Sequence, residues 1–129
     1  MKWRSSINPI ATARRKKAYT RGVFAEYLTA LMLIMKGYRI LALRYRSAHG
    51  EIDLVAARGN TLVFIEVKAR PEEGESLEAV TMRQRLRIQR AAEAFMQTRK
   101  HPVAAIRFDV VACLPGHWPR HHTDAWRPL

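Results

Sequence analysis

Cysteine is nearly missing: Cys113 is the single one in 129 residues. That excludes a disulfide framework within the chain and fits a reducing compartment. Long hydrophobic runs are missing too. The longest, Ala30 to Met35, falls far short of the ~20 residues a membrane span needs. No apolar signal-peptide core follows the basic N-terminus. The sequence therefore reads as a soluble cytoplasmic protein with no membrane partner. It has no phosphate-cradling glycine loop, no nucleophile elbow and no Cys/His pairs at zinc-finger spacing. Acids are scarce, 11 against 23 Lys and Arg, and none precedes Glu26.

What the chain has is positive charge, +12 net with a pI near 10.9. A surface of that kind attracts polyanions, and nucleic acid is the usual partner. A membrane-surface binder would carry an amphipathic basic helix with a clean apolar face. The stretch Arg14-Arg15-Lys16-Lys17 lacks such a face. Residues 1–18 are polar, basic and without hydrophobic periodicity, so they read as a flexible arm that tracks phosphates. Residues 19–129 are the length of one domain, able to bury roughly two-thirds of its unfolded surface.

The domain reads as helix, three strands, helix, strand. A helix is expected from about Thr20, its cap, to Gly37. Phe24, Tyr27 or Leu28, Leu31 and Met35 form its apolar stripe, widened by Val23 and Ile34. Glu26 lies off that stripe among the small residues Gly22, Ala25, Thr29 and Ala30. Tyr38 to Tyr45, Glu51 to Ala57 and Thr61 to Lys68 read as strands. Gly59-Asn60 signals a hairpin turn between the last two. Thr81 to about Lys100 is helical, and Ile106 to Leu114 is a fourth strand. Because it returns after a helix, the fourth strand is expected parallel to the third, in a mixed sheet flanked by helices. The tail, with three prolines, reads as irregular, with Ala125-Trp126 able to dock on the core.

The informative segments are Gly50-Glu51-Ile52-Asp53-Leu54-Val55 and Val63 through Arg70. A two-residue loop at Gly59-Asn60 pairs Arg58 with Thr61. It then carries Asp53 opposite Glu66, and Glu51 opposite Lys68. Two acids directly across a ladder repel at a Cβ separation of about 5 Å. A divalent cation between them resolves the repulsion. The bland alternative is a hairpin whose polar residues face water. Lys68 shares the face of Glu66, because side chains alternate along a strand. Acids that hold Mg²⁺ or Mn²⁺ beside a lysine suit phosphodiester hydrolysis.

These residues resemble the PD-(D/E)XK nuclease superfamily. Within it, the chain resembles the YraN-type family of small uncharacterised bacterial proteins, which are similar in fold to archaeal Holliday-junction resolvases. The carrying motifs are the two segments above and Arg107-Phe108-Asp109-Val110-Val111, in matching order from about Thr20 to Ala112. The resemblance implies an α/β, restriction-endonuclease-like core. It implies Asp53, Glu66 and Lys68 as catalytic residues. Asp53, Glu66, Glu26 and the Val67 carbonyl are then the ligands of Mg²⁺ or Mn²⁺. There are two departures: Gln84 stands where the family commonly has Lys, and Arg44 where it often has Asn.

Other residues carry weaker expectations. Thr81-Met82-Arg83-Gln84 reads as a capping box, so Gln84 either caps the helix or contacts substrate. Arg83, Arg87 and Arg90 form one helical stripe, a solvated face or a phosphate-contacting ridge. Arg83, Gln84 and Arg87, with Arg14, Arg15, Lys16, Lys17 and Arg70, are the expected nucleic-acid contacts. Arg107 and Asp109 share a strand face and read as a structural ion pair. Cys113, His117, His121 and His122 suggest zinc, but Pro115, Gly116 and Pro119 disfavour a regular ligand geometry. The expected function is metal-dependent cleavage of DNA, including branched or flap structures. The alternatives are a non-catalytic nucleic-acid-binding module of the same fold and a basic interaction protein of RNA complexes. Junction-cleaving relatives act as dimers, so a homodimer is one expected state.

Overall fold

A computed structural model describes residues 9–69, 80–99 and 103–128, with side chains from residue 22 onward. Helix α1 (Pro9–Met35) leads into strands β1 (Arg39–Ser47), β2 (Gly50–Arg58) and β3 (Thr61–Lys68). Helix α2 (Met82–Gln97) follows, then β4 (Ala105–Ala112) and β5 (Arg120–Trp126). The five strands form one sheet in sequence order. All neighbours are antiparallel except β3 and β4, which are parallel as the crossover requires. The order is that of a restriction-endonuclease-like core with one strand added.

Three expectations change. Helix α1 begins at Pro9, not near Thr20, so Thr20 is no cap and Arg14 to Lys17 lie on the helix. Its side chains before Gly22, and all of residues 1–8, lie outside the described residues. The tail is not irregular after Pro119. It returns as β5 along the free edge of β4, satisfying backbone groups that an edge would leave open. The apolar stripe of α1 is not the face that packs. The buried side chains are Ala25, Thr29, Ala30, Met32 and Leu33, while Phe24, Tyr27, Leu31, Ile34 and Met35 are exposed. From Val23 to Met35 this helix is apolar nearly all round, so periodicity alone does not pick the packed face. The small Ala25, Thr29 and Ala30 let it lie close on the sheet.

The sheet has a helix on each face. Below α1 sit Leu54, Ala56, Val63, Ile65 and Val111. Below α2 sit Val55, Leu62, Phe64, Phe108, Val110 and Trp126. Helix α2 buries Ile88, Ala91, Ala92 and Phe95, a stripe at helical spacing. Its start is fixed by the capping box: the Gln84 N–H donates to Thr81 Oγ1 (3.2 Å) and the Thr81 N–H to Gln84 Oε1 (3.0 Å). Gln84 therefore caps the helix. A row of aromatic contacts crosses this face, from Tyr45 through Phe95, Phe64 and Phe108 to Trp126. Helix α1 ends as expected at Gly37 (φ +92°), where the Tyr38 N–H reaches back to the Leu33 carbonyl.

The Arg107–Asp109 pair is structural and larger than expected. Asp109 is fully buried and accepts both Arg107 Nε and Nη2 at 2.8 Å. It also takes His121 Nε2 at 2.7 Å and the Asp124 N–H at 2.9 Å, both from β5. Burial would raise the Asp109 carboxyl, but these hydrogen bonds outweigh it and hold it below its usual range. Arg107 Nη2 also donates to the Tyr38 hydroxyl. One carboxylate thus ties β4 to β5, and through Arg107 to the turn after α1.

Candidate active site

The β2–β3 register is the expected one, with Arg58 opposite Thr61 and Leu54 opposite Ile65. The ladder stops there, one pair before Asp53 and Glu66. Neither Asp53–Glu66 nor Glu51–Lys68 is a ladder pair. Glu51 instead pairs across β1 with Arg46, at 3.4 Å between Nε and Oε2. Asp53 Oδ2 turns into the opening between the strands and accepts the Val67 N–H at 2.8 Å. The alternation of β2 also breaks at Asp53. Ile52 packs under α2 whereas Leu54 packs under α1, although residues two apart normally share a face. Facing this break on β1 is Arg44, in the left-handed region at φ +54°. The sheet splits at Asp53, and the half-buried carboxylates sit at that split.

Glu66 lies beside Asp53 in this split. Its carboxyl is pushed up to about 9, first by burial, then by its hydrogen bond and charge repulsion with Asp53. The positive charge of Lys68, two residues along, opposes that shift. Glu26 on α1 borders the same place. Arg44 Nε donates to its Oε1 at 2.6 Å. Burial nevertheless raises the Glu26 carboxyl, with repulsion from Asp53 and Glu51 adding to it. Glu26, Arg44, Arg46, Glu51, Ile52 and Asp53 line an open cavity of about 210 Å³. Four of the chain's 11 acids thus act on one another at one point of a molecule that is otherwise strongly basic.

The site brings together Asp53 and Glu66, with Lys68 following on the same strand and Glu26 across the cavity. Among the described residues, no three His, Cys, Asp or Glu side chains stand ready-clustered around a cation. Two of the acids are engaged instead, Glu26 by Arg44 and Asp53 by the Val67 N–H. Val67 borders the site, its N–H bonded to Asp53. Arg44 is the residue that sequence reasoning missed as a site member. Its signal was the departure itself: Asn adopts positive φ readily, and Arg in its place adds a charge that reaches Glu26.

Away from the split, Arg83, Arg87 and Arg90 are exposed along one shallow groove of α2 with Met82 and Leu86. Arg70 lies outside the described residues. Two members of the zinc reading are engaged elsewhere, Cys113 Sγ with Thr29 Oγ1 at 3.4 Å and His121 with Asp109. Gly50 of the motif has a packing role. A Cβ there would sit 2.1 Å from the Arg87 carbonyl oxygen, so only glycine lets α2 cross β2 at this height.

The profile of an uncharacterised protein family, UPF0102, matches residues 25–113, which include every residue of the split. The chain belongs to UPF0102, the YraN-type group. A UPF0102 protein of Maricaulis maris is 49% identical over 119 residues, covering 91% of this chain and 93% of its own. One from Rhizobium leguminosarum bv. trifolii is 45% identical, covering 89% and 95%. Another from Mesorhizobium japonicum is 46% identical, covering 89% and 93%. No helix among the described residues of this UPF0102 chain is long and apolar enough to cross a membrane.

Proposed function

We propose that the chain is a Mg²⁺- or Mn²⁺-dependent nuclease that hydrolyses phosphodiester bonds in DNA. The observation that carries this reading is the Asp53–Glu66 pair at the split between β2 and β3, with Lys68 following Glu66. Carboxylate oxygens are the donors that hard divalent cations take. Burial first, then the hydrogen bond and charge of Asp53, raise Glu66 to about 9; a bound cation would offset both, so this pair of carboxylates fits such an ion. Asp53 and Glu66 would hold it, with Glu26 the next acid across the cavity. When bound, the ion supplies an acidified water and polarises a phosphate oxygen. Lys68 orients the attacking water and offsets the charge developing on the phosphate. The Val67 N–H fixes the Asp53 carboxylate in the opening. The surrounding +12 charge draws the polyanion to the acids.

One observation favours a second reading, a nucleic-acid-binding module without catalysis: Glu26 is held by Arg44 rather than aimed with the other acids. Purified protein incubated with linear, flap and four-way DNA in Mg²⁺ or Mn²⁺ separates the two. The nuclease reading expects cleavage that chelation abolishes. It expects Lys68→Ala and Asp53→Asn to lose roughly 100-fold or more in rate while still binding DNA. Tight binding with no cleavage of any substrate in either metal overturns the nuclease and leaves the binding module.

A further inference from the structure

Helix α1 turns a row of large apolar side chains to solvent. Phe24 is 60% exposed, Tyr27 61%, Leu31 49%, Ile34 56% and Met35 70%. Leu43 of β1, 40% exposed, lies beside Tyr27 and extends the row. At ~200 Å² per large side chain, these exposures amount to roughly 700 Å² of apolar surface. The largest apolar patch on a monomer is usually about 300–600 Å², and a stable dimer buries about 800 Å² on each partner.

The chemistry of the row selects its occupant. Between Gly22 and Met35 the only charged residue is Glu26, and Arg44 neutralises it. Nucleic acid would meet no cation between Gly22 and Met35, and Leu31, Ile34 and Met35 offer no ring on which a base stacks. Phe24, Tyr27, Leu31 and Ile34 are spaced by three, four and three residues. That spacing belongs to a seam packed against a second helix. Helix α2 cannot be that helix, because its own apolar stripe is buried on the sheet. Among the described residues, the only helix with a matching uncovered seam is α1 itself. Two copies at +12 repel over most of their surfaces, and this face lets them meet without opposing like charges.

We infer that the α1 face bearing Phe24, Tyr27, Leu31 and Ile34 is the interface of a homodimer, packed against the same helix of a second copy about a two-fold axis. Glu26 lies on the same helix, so both candidate active sites flank the seam. The inference is independent of the proposed activity.

Sedimentation velocity of the full chain tests it, from low to high micromolar concentration in enough salt to screen the repulsion. The wild type is expected to be a dimer. Leu31→Glu is expected to be monomeric, with its far-ultraviolet circular dichroism intact because residue 31 is not in the core. Should Leu31→Glu not fold, Phe24→Gln is read in its place. A wild type that stays monomeric throughout overturns the inference. So does a folded Leu31→Glu that remains dimeric. A monomeric wild type whose Leu31→Glu variant loses DNA affinity also overturns it, and makes the face a nucleic-acid surface.

Discussion

Glu66 shows how strongly a single position is shaped by its surroundings. Its carboxyl is buried beside Asp53, so the protonated form is favoured and its value rises from the ordinary range to about 9. The folded state then binds a proton that the unfolded chain releases above about pH 4.5. Stability contributed by this group is present at low pH and lost as pH rises toward 9. Without divalent cations, thermal melting should show that decline. Glu66→Gln keeps a donor toward Asp53 and removes the titration. At pH 8 the variant should melt higher than the wild type by roughly 4 °C, about what 1 kcal/mol is worth in a domain of this size. The gap should close toward pH 5. A variant less stable than the wild type at pH 8 would mean that Glu66 is compensated as a carboxylate. Arg44 is shaped by the same place in the opposite sense. It accepts a left-handed backbone, and its guanidinium gains Glu26.

At the scale of elements, the site depends on how closely α2 lies against β2. Gly50 sets that distance, since its missing side chain leaves room for the Arg87 backbone. A methyl group here meets a helix carbonyl, which cannot swing away as a side chain could. Gly50→Ala should cost about 1–3 kcal/mol in urea unfolding at pH 7, the range for overpacking. It should also lift the N-terminal half of α2 off the sheet. Amide exchange in residues 84–91 then reports the cause, because a loss of stability without faster exchange there would place the strain elsewhere. The split of β2 from β3 is likewise a property of the pair. Five ladder pairs hold the expected register up to Leu54–Ile65, and then the Asp53 side chain takes the backbone N–H that a longer opposed ladder would have left to the strands.

The whole molecule combines a small acidic mouth with a basic body. The exposed Arg83, Arg87 and Arg90 ridge lies on α2, the helix whose backbone packs against Gly50, three residues before Asp53. Replacing Arg83 and Arg87 together with Gln should weaken DNA binding similarly for every sequence. The slope of log affinity against log salt should fall by about two, since two phosphate neutralisations are lost. Fluorescence anisotropy across a salt series reads both quantities. An unchanged slope would return these arginines to a solvated face. Residues 22–35 of α1 carry Glu26 as their one charge, which is why the proposed dimer and the proposed DNA binding can be measured as separate properties.

Much of this was already written in the chain. The Gly59-Asn60 turn fixed the register of β2 and β3, because a two-residue loop allows one pairing. Thr81 and Gln84 fixed the start of α2 through bonds made within one turn. The crossover through α2 made β3 and β4 parallel. Each of these is local, or follows from chain connectivity. Three features were not local. The packed face of α1 was decided by the sheet, since its second half, from Val23 to Met35, is apolar on nearly every side, and Ala25, Thr29 and Ala30 went inward with Met32 and Leu33 while Phe24, Tyr27, Leu31 and Ile34 stayed out. Strand β5 is polar in sequence, Arg-His-His-Thr-Asp, and exists because the edge of β4 and the buried Asp109 give its backbone and His121 partners. The opening at Asp53 involves four elements at once: β2 and β3 parting, Arg44 of β1 with a left-handed backbone, and Glu26 of α1 beside them. The sequence alone determined which residues are the candidates for the proposed chemistry. Only the tertiary structure decided that they meet where the sheet splits, because that split is made by strands and a helix distant in sequence acting on one another.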